Sequence, residues 1–257
     1  RFSDAMKGNF SIFYGDYEKM YQNFYAAKYD QSKTPNEVTL DGYVDTTQRE
    51  NLQISGNVIA ELQTGIATHT LLFGLEVIDT TSDQDRFNTY FDTSESDKEN
   101  FSISAGLPLA LVGGRGTNSA GQATVNDFAL KLNDDTHVEI EARSLYVQDE
   151  IQLSEKLIAI LGGRYDEFDI EVVNVKSAEI RNRKDDEISP RVGLIYKPQE
   201  NTSIYLSYSE SFLPRSGEQF ANINGDNNQL DPDTFENLEL GIKWNANEAL
   251  SLLASVF

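Results

Sequence analysis

Leu238, Leu240, Ile242 and Trp244 are separated by Asn237, Glu239, Gly241 and Lys243, and this two-residue period most narrows what the chain can become. The same period returns in Leu71, Phe73, Leu75, Val77, in Val192, Leu194, Tyr196 and in Ile204, Leu206, Tyr208, each time against a mostly polar or small opposite parity. A period of two puts successive side chains on opposite faces of a strand, so each segment has one apolar face and one wet face. Helical spacing is hard to find.

The connections carry the second constraint. Short ones fall near Gln63 to Thr68, Ser154 to Lys156, Pro198 to Thr202 and Asn245 to Ala249. Between them lie long polar stretches, roughly 18 to 50, 79 to 140, 170 to 187 and 212 to 234, which read as loops. A meander with tight turns at one end and long polar loops at the other is the construction of a transmembrane β-barrel. No run approaches the 18 or so apolar residues of a membrane helix, which leaves a barrel open.

Aromatic residues agree with a barrel. Tyr196 and Trp244 stand beside short turns, while Tyr14, Tyr165 and Tyr208 occupy the apolar parity nearer the long connections. Two aromatic levels separated by aliphatic positions form the girdles at the two membrane interfaces. On the other parity, Glu61, Glu76, Arg191, Lys197, Glu239 and Lys243 face water or a plug. Asp149 breaks the rule, since it shares the parity of Leu145, Val147 and Ile151, and a local twist or bulge is expected there.

Counting periodic segments gives about nine strands, from an upward one near Asn9 to Tyr17 to an upward one at Leu250 to Phe257. An unclosed nine-stranded sheet leaves two bare edges, which lipid does not tolerate. The chain opens at Arg1-Phe2-Ser3 without a charged and apolar leader and stops inside a strand pattern, so the expectation is a piece of a larger barrel. The rival fold is a soluble acidic β module, with the apolar parity buried against a second sheet.

The segment from Leu145 to Phe168, LYVQDEIQLSEKLIAILGGRYDEF, resembles the strand, turn and strand of TonB-dependent outer-membrane siderophore receptors, nearest the ferrichrome-receptor type. SPRVGLIYKPQENTSIYLSYSESFLP (Ser189 to Pro214) and LDPDTFENLELGIKW (Leu230 to Trp244) resemble that family's next segments in the same order. Upstream, YVDTTQRENLQISGNVIAEL (Tyr43 to Leu62) and HTLLFGLEV (His69 to Val77) resemble an earlier hairpin. The resemblance covers most strands from about 43 to 257.

It implies an all-β fold: an antiparallel up-and-down barrel segment, about nine strands of about 22, with short periplasmic turns and long extracellular loops. Residues 1–257 are then part of the barrel domain, without the plug, the TonB-binding segment or the final strands. The implied ligand is a ferric siderophore of the hydroxamate type. The implied partners are the plug, the remaining strands, the TonB complex and outer-membrane lipid, in a Gram-negative bacterium. Cobalamin, haem or a glycan are the alternative cargoes.

No enzymatic constellation is present. His69 and His137 are the only histidines and cysteine is absent, which removes three-histidine zinc sites, thiolates and disulfides. His69 reads as a polar strand-end residue, and Gly113-Gly114-Arg115-Gly116 as a loop tip. Asn224, Asp226 and Asn228 have calcium-loop spacing, but Gln229 stands where the turn needs Gly and Phe235 where it needs Glu, so an ordinary polar loop is expected. A net charge of -21 disfavours nucleic acid as partner.

A ferric hydroxamate presents an oxygen-rich, partly apolar exterior, which aromatic rings and a few donors hold in a concave site without ligating iron. No cofactor is called for. The candidates are Tyr21, Phe24 and Tyr25 after the first strand, Phe87 and Tyr90 after the third, and Phe212, Arg215 and Phe220 after the seventh. About two of these eight are expected to touch ligand, the others packing loops or forming the upper girdle.

Overall fold

The computed structural model describes residues 5–103, 115–127, 131–214 and 231–257. Its elements are β1 (Met6–Asp30), β2 (Glu37–Thr64), β3 (Ala67–Asn88), β4 (Glu99–Ser102), β5 (Arg115–Thr117), β6 (Ala123–Val125), β7 (Lys131–Ser154), β8 (Leu157–Asn174), β9 (Glu179–Gln199), β10 (Thr202–Leu213), β11 (Asp233–Asn247) and β12 (Leu250–Val256). One antiparallel sheet runs β1-β2-β3-β7-β8-β9-β10-β11-β12, nine strands as the periodicity predicts, with β4 added beside β2 and β5-β6 a separate ribbon. Among the described residues the sheet does not close on itself.

Register turns the alternation of each strand into continuous rows. Phe10 faces Gly56, Gly56 faces Leu75, Leu75 faces Leu145, Leu145 faces Tyr165 and Tyr165 faces Ile188. Each row runs across strands on one face because a single-residue slip would move a strand's apolar set to the other side. That face stays open: Phe73, Leu75, Val147, Leu194, Leu240 and Trp244 are all exposed. No second large sheet covers it among the described residues, whereas the rival soluble sandwich calls for one.

The four tight connections lie where expected, between Thr64 and Ala67, Ser154 and Leu157, Gln199 and Thr202, and Asn247 and Leu250. Gly65, at φ 63°, makes the first of them without the strain a Cβ would bring.

The long connections differ from expectation. The stretch 18 to 50 is mostly strand, because β1 continues to Asp30 and β2 resumes at Glu37, paired as far as Asp30↔Glu37. Likewise, 170 to 187 is a strand pair closed at 175–178, not a loop. In 79 to 140, β3 extends to Asn88 and β7 begins at Lys131, and 212 to 234 narrows to the segment between Leu213 and Asp233. Beyond the apolar rows polar residues stand on both parities of these strands, so the sequence largely loses its alternation while the backbone ladder continues.

Two buried clusters stiffen these extensions. Val138, Ile140, Ile170 and Val172 form one, with Ile140 facing Ile170 and Val138 facing Val172. Val38, Leu40, Phe91 and Phe101 form the other beside β4, with Phe24 packed against it. No bulge occurs at Asp149: it faces Leu71 and Leu161 in unbroken register, and the β3-β7 and β7-β8 irregularities lie elsewhere, at Arg86/Phe87 and Gln152/Ser154.

Candidate functional site

On β1, the residues opposite in parity to Phe10, Ile12 and Tyr14 include Lys19, Tyr21, Asn23 and Tyr25, which therefore share the polar face. Register sets Tyr21 beside Asp45, Asn23 beside Tyr43, and Asp45 beside Arg86. These pairings gather three tyrosines and an arginine. The Tyr43 ring centroid lies 6.1 Å from that of Tyr21 and 6.4 Å from that of Tyr25, the latter nearly edge-on at 70°. The Arg86 guanidinium carbon stands 4.4 Å from the Tyr43 centroid, a cation–π contact.

Hydrogen bonds fix this cluster. Arg86 Nε and Nη2 donate to the two Asp45 carboxylate oxygens at 2.6 Å each. Tyr25 OH donates to Asp41 Oδ2 at 3.1 Å, and Lys98 Nζ stands 3.4 Å from the same oxygen. The Asp45 hydrogen bond raises the Arg86 pKa first of all, whereas burial and then the Asp135 charge push the Asp85 carboxyl up. A concavity of about 530 Å³ opens beside the cluster, lined by Lys19, Tyr21, Asp45, Gln84, Arg86 and Asp134. Its lining is polar apart from the Tyr21 ring, with Tyr25 and Tyr43 beside it, and fixed donors and acceptors next to such rings suit a compact, oxygen-rich ligand.

Of the six candidate residues that are described, only Tyr21 and Tyr25 come together here. Phe24 lies on the other face of β1, its ring 6.2 Å from Phe91 in the buried cluster, because a one-residue step reverses the side. Phe87 sits at the bulge, on the parity opposite Arg86 and beside Leu132. Tyr90 lies with its ring 6.0 Å from Lys131 Nζ. Phe212 meets Phe168 edge-on at 5.6 Å, after β10 leaves its last pairing with β9 at Ser209↔Arg191. Arg215, Phe220 and the Asn224, Asp226, Asn228, Gln229 segment lie outside the described residues, as do Gly113 and Gly114.

Tyr43, Asp45 and Arg86 were missed because they fall in stretches read as loop, where parity had not been assigned. A Tyr-x-Asp pair facing an Arg would have been the available signal had both strands been extended.

A second polar concavity, about 780 Å³, lies farther down the same face. Arg164 organises it: Nε donates to Asp166 Oδ1 at 2.7 Å, Nη2 to Ser144 Oγ at 2.7 Å and to Glu76 Oε1 at 3.4 Å. Its guanidinium carbon stands 5.7 Å from the Tyr146 ring centroid. Phe168 and Phe212 also line this concavity.

Residues 2–257 match the family model described as "TonB dependent receptor-like, beta-barrel". The chain is 30% identical over 138 residues to the "Probable TonB-dependent siderophore receptor PiuA" of Acinetobacter baumannii, covering 50% of this chain and 19% of that protein. It is 26% identical over 208 residues to the "Ferrichrome outer membrane transporter/phage receptor" of Escherichia coli, covering 78% of this chain and 24% of that protein. The crystal structure of the siderophore receptor PiuA superposes with a TM-score of 0.75 at 22% identity, over 99% of this chain and 37% of that one. The chain thus spans between about a fifth and a quarter of the length of these two curated relatives.

Proposed function

This chain belongs to the TonB-dependent receptor-like β-barrel family, and from that premise we propose that it forms part of the wall of an outer-membrane receptor that takes up ferric siderophores of the hydroxamate type. Family membership makes the open apolar face the lipid-facing surface and the polar face the lumen. The cluster of Tyr21, Tyr25, Tyr43 and Arg86 then stands on the lumen side of strands that run past the membrane toward the cell exterior. The observation that carries the reading is the convergence of three tyrosine rings and a fixed guanidinium on the polar face.

In this reading the cluster captures the chelate by stacking and hydrogen bonding, and the iron remains within its siderophore. Uptake is then energised through TonB acting on a plug, while the remaining strands complete the wall. The Arg164 network below the capture site offers a charged and aromatic surface toward the lumen. This portion performs no covalent chemistry, and the relatives named above are a receptor and a transporter.

The test is uptake of a panel of iron-loaded siderophores by iron-starved cells with and without the gene, each with and without a proton-motive-force uncoupler. Loss of one energised hydroxamate uptake on deletion supports the reading. Survival of every siderophore uptake, once redundant receptors are removed, overturns it and moves the search to cobalamin, haem and glycans.

A further inference from the structure

The lipid-facing surface carries a polar intrusion. On β7 the outward residues Leu145, Val147, Ile151 and Leu153 bracket Asp149, so the carboxylate stands in the middle of a nine-residue span whose other outward residues are apolar, about the length a barrel strand needs to cross hydrocarbon. On β3 the outward residues Leu71, Phe73, Leu75 and Val77 follow His69 on the same parity. The two strands are in register at Leu71↔Asp149 and His69↔Ile151, which makes His69 and Asp149 diagonal neighbours on one face.

Their side chains meet. His69 Nδ1 stands 2.7 Å from Asp149 Oδ2, and the other ring nitrogen, Nε2, stands 2.6 Å from Thr64 Oγ1 at the end of β2. Both side chains of the pair are about four-fifths covered, at 19% and 22% exposure. Asp149 Oδ1 is buried with no hydrogen-bond partner, so this carboxylate relies on His69 alone among side chains. The opposed residues across the ladders, Leu71 and Leu161, offer none.

We propose that Thr64, His69 and Asp149 form a membrane-embedded polar clamp that ties β2, β3 and β7 together across the lipid-facing surface. Polar side chains at this depth are costly when single and tolerated when paired. The pair therefore couples two strands whose other outward neighbours within the apolar rows, Phe73 with Val147 and Leu75 with Leu145, are apolar. Aliphatic residues would hold these strands without specifying register, whereas the clamp closes only when Leu71 faces Asp149. A one-residue slip sends Asp149 to the lumen side and leaves His69 alone in lipid, so the pair disfavours misregistered insertion. This inference rests on the barrel and its lipid face, not on the identity of the cargo.

The test uses the complete receptor containing this chain, folded into phosphatidylcholine vesicles, with folded and unfolded forms separated on unheated gels across a urea series. Three variants are compared: His69→Leu, Asp149→Leu and the double variant. His69→Leu strands a carboxylate in hydrocarbon and is expected to lower the folded-to-unfolded ratio about tenfold or more, as for a broken buried pair. Asp149→Leu leaves His69 with Thr64 and is expected to lose less.

The decisive reading is suppression, in which adding Asp149→Leu to His69→Leu returns the ratio to within about threefold of wild type, because an apolar pair replaces the polar one. A double variant as defective as His69→Leu overturns the clamp and assigns the polar spot to contact with another molecule. A His69→Leu variant indistinguishable from wild type overturns it as well.

Discussion

The ring of Tyr146 occupies the space that a Cβ on Gly74 would need, Gly74 facing it directly across the β3-β7 ladder. A bare glycine weakens a strand, and an aromatic ring laid over it from the neighbouring strand restores the lost contact. Tyr205 stands over Gly241 in the same way on β10 and β11. In the first case the ring is itself a platform, since Arg164 stands over it.

Gly74→Ala is expected to push Tyr146 off its position and destabilise the barrel by about 1 to 3 kcal/mol, the usual cost of overpacking. Urea unfolding of the receptor in vesicles measures it. Combining Gly74→Ala with Tyr146→Ala should recover part of the loss, and a fully additive double variant would show that the ring and the glycine are not coupled.

At the proposed capture site, Tyr43→Ala removes the ring that Tyr21, Tyr25 and Arg86 share. We expect a loss of about 2 kcal/mol in ferric-hydroxamate binding, roughly thirtyfold in Kd, by titration with the complete receptor. Tyr25→Ala should cost less, since it lies at the edge of the cluster.

Phe24→Ala, one residue from Tyr25, should behave in the opposite manner. It opens space beside Phe91 and should cost about 1 to 3 kcal/mol of stability in urea with little change in Kd. Comparable losses of affinity at positions 24 and 25 would show that strand parity does not govern this site.

His137 lies on the outer face of β7 above the apolar rows, with Nδ1 2.6 Å from Asp83 Oδ1 and Nε2 3.4 Å from Glu139 Oε1. The Asp83 hydrogen bond raises its pKa above the ordinary 6.5, with burial opposing. A raised folded value means that this stabilisation is complete below the ordinary value and is lost as pH rises through the folded one. His137→Gln should therefore cost stability at pH 5.5 and little at pH 9, as read by urea midpoints; a loss equal at both pH values would remove the ion pair from the account.

The faces themselves can be tested at one ladder position. Val147→Arg, in the exposed row between Phe73 and Gly163, should cost about 2 to 4 kcal/mol near mid-membrane. Gln148→Arg, on the lumen side of the same strand, should be nearly neutral. Vesicle refolding yields separate the two.

The strands that cross the membrane were legible because lipid on one side and water on the other write a period of two into Leu238 to Trp244 and Leu71 to Val77. The tight turns were legible from the gaps between such runs. From Tyr17 to Asp30 and from Glu37 to Asn51 polar residues stand on both parities, so the code fades although the pairing persists, and Val38 and Leu40 are buried locally against Phe91 and Phe101. The same blindness hid half of the capture site: Tyr21 and Tyr25 were visible as aromatics, but Tyr43 and Arg86 acquire meaning only through register. Asp149 was visible as an exception, and its explanation required His69, 80 positions away in the chain.

The unbroken ladder of β1 and β2 has an entropic consequence. β2 has 28 residues, of which a membrane crossing uses about 9 to 11, so on the order of 40 Å of paired backbone can rise past the bilayer at the usual tilt. Groups mounted on such a palisade have already surrendered their backbone freedom during folding. A ligand captured at Tyr43, as proposed, would therefore not need to freeze a wandering loop, and more of each stacking contact would remain to be expressed as affinity.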